Sequence, residues 1–483
     1  MTLSSGIKFR CYPTEKQKRA LSQWMGCQRL IYNAKVAEDE YFRTFNRKFL
    51  LPPGNKRPID QQYAHFKSRE HTPYLYEVPS QILRNGATRF KQAYSRFFQG
   101  LAGRPVFKKK YRKQSVWITS ELFKFIATGK SGKKRDRTIY DHKLMIGKGK
   151  HNLGELVFKA SDEYDLPATI TISKEAGKWF LSFSYEKDID RIPEQELIDY
   201  YASLSRELLT QITQGHDRGT VIPVATDTGK TYDFTGMQKK RMIRKERRKK
   251  HYQKMMAKRK PGSRRRKRAS LAAVRCSRYA ANVRNDFAHQ TSRRFVNSDR
   301  EVFVFEDLAT KNMTKAPKPK KGNDGTYLPN GARAKAGLNK AILESAWGKV
   351  RLFTSYKAAR VNKLVIGVTP HHTSQECSRC SHTHPDNRLT QAVFACRNCG
   401  FTEHADVHAA IVVKMRGIRM LRAGEVTVKA SKKMMRLKKK VSLGQELADA
   451  MRVGEGYKTD CGDACSSLPS MIRETPATTV LTV

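Results

Sequence analysis

No stretch of the 483-residue chain approaches the roughly eighteen consecutive apolar residues that a membrane-spanning helix needs, and Met-Thr-Leu-Ser-Ser-Gly at the start carries no apolar signal core. The expectation is therefore a cytosolic chain without a membrane partner. Carboxylates are scarce: 44 Asp and Glu stand against 95 Lys and Arg, a formal net charge of +51. A fold that repels itself this strongly is normally matched to a polyanion, and with membranes set aside the implied partner is nucleic acid. Cysteine is sparse too, with nine in the chain, which excludes a disulfide scaffold at this length. Cys11, Cys27, Cys276, Cys461 and Cys465 read as reduced thiols, and no internal repeat is visible. Hydrophobic residues make up 39%, enough for two to four domains with real cores.

The remaining four cysteines are patterned. Cys377-Ser-Arg-Cys380 and Cys396-Arg-Asn-Cys399 are separated by fifteen residues, the spacing of a zinc ribbon in which four thiolates close a tetrahedral shell. A closed shell leaves no open position for chemistry, so the zinc is structural. The few apolar residues there (Val393, Phe394, Phe401) cannot order the loop without metal.

Along the chain, residues 6–11 alternate apolar and basic and read as a strand stopped by Pro13. A helix follows from Thr14 with an apolar stripe (Leu21, Trp24, Met25, Leu30, Ile31), breaks fall at Pro52-Pro53-Gly54 and Pro73, and another helix spans 79–98. A basic arm containing Lys108, Lys109 and Lys110 beside Tyr111 leads into short strand-like runs at 115–119, 143–147, 155–159, 168–173 and 179–185. These runs predict a small β-barrel that contacts nucleic acid and includes the first strand, making the helical region an insertion.

Residues 188–210 read as an acidic linker helix, and 211–234 as a β-hairpin with Asp217 inside a strand. Residues 239–268 hold eighteen Lys and Arg against one Glu; basic on every face, Arg264, Arg265 and Arg266 included, this run points to phosphate contact. A helix is expected from Ser270 to Val296, then the buried strand Val302-Phe-Val-Phe305 ending in Glu306. A flexible loop at 311–333, one helix from Asn339 to Arg360, the strand 364–368 and the knuckle follow. Asp406 opens the helix leaving the knuckle, and a basic helix at 432–440 lies in a mobile tail.

Asp217, Glu306 and Asp406 thus lie on elements that a mixed α/β sheet can bring together. Hard divalent cations take such oxygen donors, and phosphodiester cleavage needs them. A non-cleaving nucleic-acid binder and a zinc-ribbon RNA-binding protein remain open on these residues alone.

Gly215-His-Asp217-Arg-Gly219, Val304-Phe-Glu306-Asp-Leu308, Leu338-Asn-Lys-Ala-Ile, Tyr356-Lys-Ala, the two cysteine pairs, Ala405-Asp406-Val-His-Ala-Ala and the opening Phe9-Arg-Cys-Tyr-Pro13 together resemble the TnpB family over residues 6–415. These are transposon-encoded RNA-guided DNA endonucleases related to compact type V CRISPR effectors. The resemblance implies an α/β multidomain chain with an RNase H-like RuvC domain, whose triad Asp217, Glu306 and Asp406 binds two Mg²⁺ ions. One structural Zn²⁺ would sit on Cys377, Cys380, Cys396 and Cys399, and the partners would be a guide RNA and double-stranded target DNA beside a short adjacent motif. The site of action would be the prokaryotic nucleoid.

The implied organisation is a wedge β-barrel (1–12 and 103–187), a helical recognition lobe (13–102), a RuvC-like domain (188–372 and 401–418), a zinc-ribbon knuckle (373–400) and a C-terminal tail (419–483). A transposon enzyme, a compact type V effector and a catalytically inactive repressor-like relative all stay open, as do monomer and dimer. Two residues depart from the family pattern: His408 stands where Asn is common, and His216 where an apolar residue is commoner.

Overall fold

The computed structural model describes residues 2–48, 59–126, 130–134, 137–160, 164–188, 191–388, 390 and 392–426. The Pro52-Pro53-Gly54 break, the basic helix at 432–440, Cys461 and Cys465 lie outside them.

Strand β1 (Thr2–Tyr12) is followed by helices α1 (Glu15–Lys48) and α2 (Ser80–Phe98). Next come β2 (Gln114–Thr119), β3 (Phe123–Ile126), β4 (Lys130–Lys134), β5 (Arg137–Ile146), β6 (Gly154–Ala160), β7 (Thr169–Glu175) and β8 (Lys178–Asp188). These form one sheet in the order β2-β7-β8-β1-β6-β5-β3, with β4 on β5; β1 pairs antiparallel with both β6 and β8.

The strands expected to form a small β-barrel form one curled sheet that is open between β2 and β3. β2 and β3 terminate the strand order yet are joined through only Ser120–Leu122, so the sheet must curl. The linking turn continues the two existing ladders: Ser120 N–H donates to Ala168 O at 3.1 Å beside β7, and Leu122 O accepts from Gly147 N–H at 2.7 Å beside β5. The helical pair shares the core of this sheet. Leu21, Trp24, Met25, Ile31, Ile82 and Leu83 pack with Phe9, Val116, Phe158 and Leu181. Gln28 of α1 fixes the edge strand, its Oε1 accepting from Trp117 N–H at 2.9 Å and its Nε2 donating to Trp117 O at 2.8 Å.

The predicted linker helix is corrected. Residues 191–212 form α3 (Glu194–Ser203) and α4 (Arg206–Ile212), whose Leu197, Ile198, Tyr201 and Leu209 are buried in the next core. That core covers a five-stranded sheet of β9 (Thr213–Asp217), β10 (Val224–Thr226), β11 (Thr231–Tyr232), β12 (Val302–Glu306) and, completing it, residues 364–368. The predicted hairpin is a three-stranded antiparallel meander, β9-β10-β11, turned at Gly229 with φ +77°.

Between β11 and β12 stand α5 (Gly236–Ala257) and α6 (Arg264–Val296), packed as a helical hairpin. The second helix thus starts within the basic run, six residues before the expected Ser270, because Ser263 caps it by accepting from Arg266 N–H at 3.2 Å. The loop after β12 contains α7 (Thr310–Met313) and the two-stranded ribbon β13 (Lys320–Lys321) and β14 (Tyr327–Leu328).

The single helix expected over 339–360 is two, α8 (Ala332–Glu344) and α9 (Trp347–Ala358). Ala346 sits between them at φ 62°, a left-handed backbone that breaks the helix, and Trp347 Nε1 donates to Gly219 O at 2.8 Å. β15 (Leu364–Val368) runs parallel to β12. The knuckle holds the hairpin β16 (Val393–Ala395) and β17 (Thr402–His404), which leads directly into α10 (Ala405–Arg422).

Candidate active site

Strand periodicity sorts β12 between two cores. Val302 and Val304 pack with Val413 and Ile418 of α10, whereas Phe303 and Phe305 pack with Phe295 of α6 and Val350 of α9. Glu306, two positions past Val304, therefore leaves the sheet on the α10 face. β9 is parallel to β12 with His216 opposite Phe305, so Asp217 is carried level with Glu306 and on the same face. Gly215 permits α10 to lie directly on β9: a Cβ there would strike the Ala410 carbonyl and reach Lys414 Cβ at 2.8 Å. The close approach brings the first turn of α10, with Asp406, over the two strand ends.

Asp217 carries the electrical record of this convergence. Burial, then Glu306, then Asp406 push its carboxyl pKa up to about 7. Arg388 from the knuckle offsets part of this, with its Nη2 3.6 Å from Asp406 Oδ1. Glu306 is 6% exposed, and its Oε1 accepts from Thr373 Oγ1 at 2.7 Å. Two guanidinium groups hold the end of its strand: Arg218 donates to Glu306 O, and Arg351 Nη1 donates to Glu306 O at 3.4 Å and Asp307 Oδ1 at 2.7 Å. Behind the site, Asp227 accepts from Gly215 N–H at 3.2 Å and from Lys414 Nζ at 2.9 Å, pinning α10 to β9.

The oxygen-only donor set and a buried carboxyl raised by like charge fit a hard divalent cation, which would let Asp217 ionise at neutral pH. The three carboxylates stand wider apart than one ion's shell; among the described residues only the four cysteines gather their donor atoms within 4.8 Å. In that cluster Cys377 and Cys399 Sγ are 3.7 Å apart, and Cys380 and Cys396 Sγ 3.5 Å. The edge of a tetrahedron with Zn–S bonds of about 2.3 Å is about 3.8 Å, so the thiols fit zinc.

The proposed nucleic-acid residues divide. Lys109, Lys110, Arg264 and Arg265 are exposed. Lys108 is exposed as a residue, but its ammonium folds back to 3.4 Å from the Tyr32 ring centroid, and burial with Arg89 lowers its pKa to about 8. Arg266 is turned inward, its Nη1 donating to Met256 O at 3.0 Å and Arg259 O at 2.9 Å, which caps the end of α5.

His216 behaves as a core aromatic. It stacks on Phe305 with centroids 4.4 Å apart and planes at 10°, and burial lowers its pKa to about 3, so it is neutral. Sequence reasoning missed Arg388, which lies in the spacer between the cysteine pairs, where no spacing rule points at it. Thr373 opens the segment 373–400 read as the knuckle, but no spacing rule gives it a role.

Three family models match parts of the chain: one described as "Probable transposase" over residues 197–316, a "Helix-turn-helix domain" over 1–41, and a "Cas12f1-like, TNB domain" over 347–413. In the structure residues 2–41 are a strand and part of one unbroken helix. The chain is 26% identical to "Putative RNA-guided DNA endonuclease InsQ" of Escherichia coli strain K12, over 87% of this chain and 94% of that one. It is 24% identical to a Streptomyces pristinaespiralis protein described as an RNA-guided DNA endonuclease in the same terms, over 87% and 90%. Over 55 residues, 11% of this chain and 13% of the other, it is 46% identical to the CRISPR-associated endodeoxyribonuclease Cas12f1 of Sulfoacidibacillus thermotolerans. These matches bear out the resemblance to the TnpB family.

Proposed function

We propose that this protein is an RNA-guided, Mg²⁺-dependent DNA endonuclease that binds a structured guide RNA and cuts complementary DNA beside a short adjacent motif. The observation that supports this reading is that Asp217 and Glu306 end adjacent parallel strands on the face covered by α10, whose first turn carries Asp406; burial first, then the charges of Glu306 and Asp406, raise the pKa of the Asp217 carboxyl. Full-length relatives described as RNA-guided DNA endonucleases support it, as does a net charge of +51. The domain roles carried by the family resemblance complete it: a wedge sheet, a helical recognition lobe, a RuvC-type centre and a zinc knuckle that binds target nucleic acid.

Asp217, Glu306 and Asp406 would hold two Mg²⁺ ions, which supply an activated water and stabilise the leaving 3′ oxygen in an in-line displacement. Thr373 fixes the Glu306 carboxylate by donating to Oε1. Arg388 places a positive charge beside Asp406, where a scissile phosphate would enter. Arg264 and Arg265 on the helical hairpin, with Lys109 and Lys110 on the arm before β2, bind backbone phosphates without reading bases, so sequence choice falls to guide pairing.

The test is plasmid cleavage by the protein co-expressed with the noncoding RNA flanking its gene. Cutting is expected with Mg²⁺ and lost in Asp217→Ala, Glu306→Ala and Asp406→Ala, with RNA binding retained. Cleavage that persists in Asp217→Ala overturns the reading; binding without any cleavage in the wild type makes the protein a reader of DNA only.

A further inference from the structure

His408 lies on α10 two positions past Asp406, yet its side chain serves the knuckle. Its ring lies flat on Phe394 of β16, centroids 3.5 Å apart and planes 15° from parallel. Its Nε2 accepts from the Ser378 N–H at 3.2 Å, and Ser378 adjoins the ligand Cys377. The ring is fully buried. Other bonds tie the same helix to both flanks of the knuckle: Ala405 N–H donates to Ala392 O at 2.8 Å, and Arg416 donates to Glu376 Oε2 at 2.9 Å and to His371 O at 2.6 Å. Asp406 sits inside this grip, between Ala405 and His408.

We propose that His408 is a positioning residue that makes the placement of Asp406 depend on the zinc-loaded fold of the knuckle. Zinc binding draws Cys377 and Cys396 together, which fixes Ser378 and Phe394; those two fix the His408 ring, and the ring sets the rotation of the first turn of α10. The role of Asp406 rests on the nuclease reading. The mechanical hold of His408 on α10 does not.

The experiment uses the full chain, zinc-replete, as wild type, His408→Ala and His408→Gln, whose amide oxygen can replace Nε2 as acceptor. Zinc content, amide hydrogen exchange over residues 405–412 and Mn²⁺ affinity by electron paramagnetic resonance are measured on each, with Asp217→Ala reporting which Mn²⁺ is bound at the acids. His408→Ala at one zinc per chain is expected to exchange faster in the first turns of α10 and to bind Mn²⁺ about tenfold more weakly, the usual loss when a residue supporting a ligand is removed. His408→Gln should recover part of both. If His408→Ala does not keep its zinc, the comparison of zinc-loaded His408→Gln with His408→Phe, which stacks but cannot accept, decides in the same way. Unchanged exchange over 405–412 in zinc-loaded variants overturns the inference. Faster exchange in a protein whose Mn²⁺ binding ignores Asp217→Ala supports the positioning role and removes the nuclease reading instead.

Discussion

Thr373 Oγ1 donates a 2.7 Å hydrogen bond to Glu306 Oε1, joining the segment that enters the zinc knuckle to the end of a central strand. A hydrogen bond to a buried carboxylate is worth about 1.5–3 kcal/mol. Thr373→Val should therefore lower cleavage by at least about tenfold, with little change in RNA affinity, and Thr373→Ser should retain most of the rate. Single-turnover cleavage measures this, and equal rates for the valine and serine variants would sink it.

Gly215 is where α10 touches β9 backbone to backbone, with no room for a methyl group between it and Ala410 O. Gly215→Ala should destabilise the fold by about 3 kcal/mol or more, because backbone must move. Gly417→Ala, whose Cβ would meet the Val304 Cγ2 methyl at 2.5 Å, should cost less, since a side chain can shift. Denaturant melts of the two variants rank them.

The carboxyl of Asp217, raised to about 7 from 3.8, gives the metal-free protein a definite pH signature. A group whose folded pKa is raised contributes stability that is fully present below its unfolded pKa and lost as pH climbs through the folded one. Between pH 4 and 7 the metal-free wild type should lose stability relative to Asp217→Asn, and Mg²⁺ should raise Tm more at pH 8 than at pH 6, where protons compete for the oxygen. Parallel pH profiles for the two proteins would contradict this.

Arg266 and Arg264 lie two residues apart in one basic run and should fail differently. Arg266→Ala removes two bonds to the end of α5 and should lower Tm. Arg264→Ala, at an exposed position, should leave Tm alone and reduce the salt slope of RNA binding by about one. Thermal melts and binding titrations at several salt concentrations separate the two.

What the sequence made legible was set by local rules. β12 and β15 were readable as short apolar runs, the knuckle from its cysteine spacing, and Asp406 from its place at the start of a helix. The three acids were recognised through their motifs, since no spacing rule links Asp217 to Asp406. That the β-barrel sheet stays open between β2 and β3 was not legible, because strand order is set by long-range pairing. The break at Ala346 was hidden because alanine favours helix, and only tertiary contacts such as Trp347 to Gly219 hold it left-handed. Arg266 looked like its neighbours because charge counts do not show which way a side chain turns.

The position of β1 between β6 and β8 has a bearing on biogenesis. This strand leaves the ribosome long before either neighbour, and both of its ladders close only when residues 154–188 emerge. Until then α1 and α2 lack Phe158, Ile170, Ile172 and Leu181 of the core they share with the sheet. The nascent chain should accordingly be slow to acquire protease resistance, with its aggregation hazard concentrated in the interval before β8 is made.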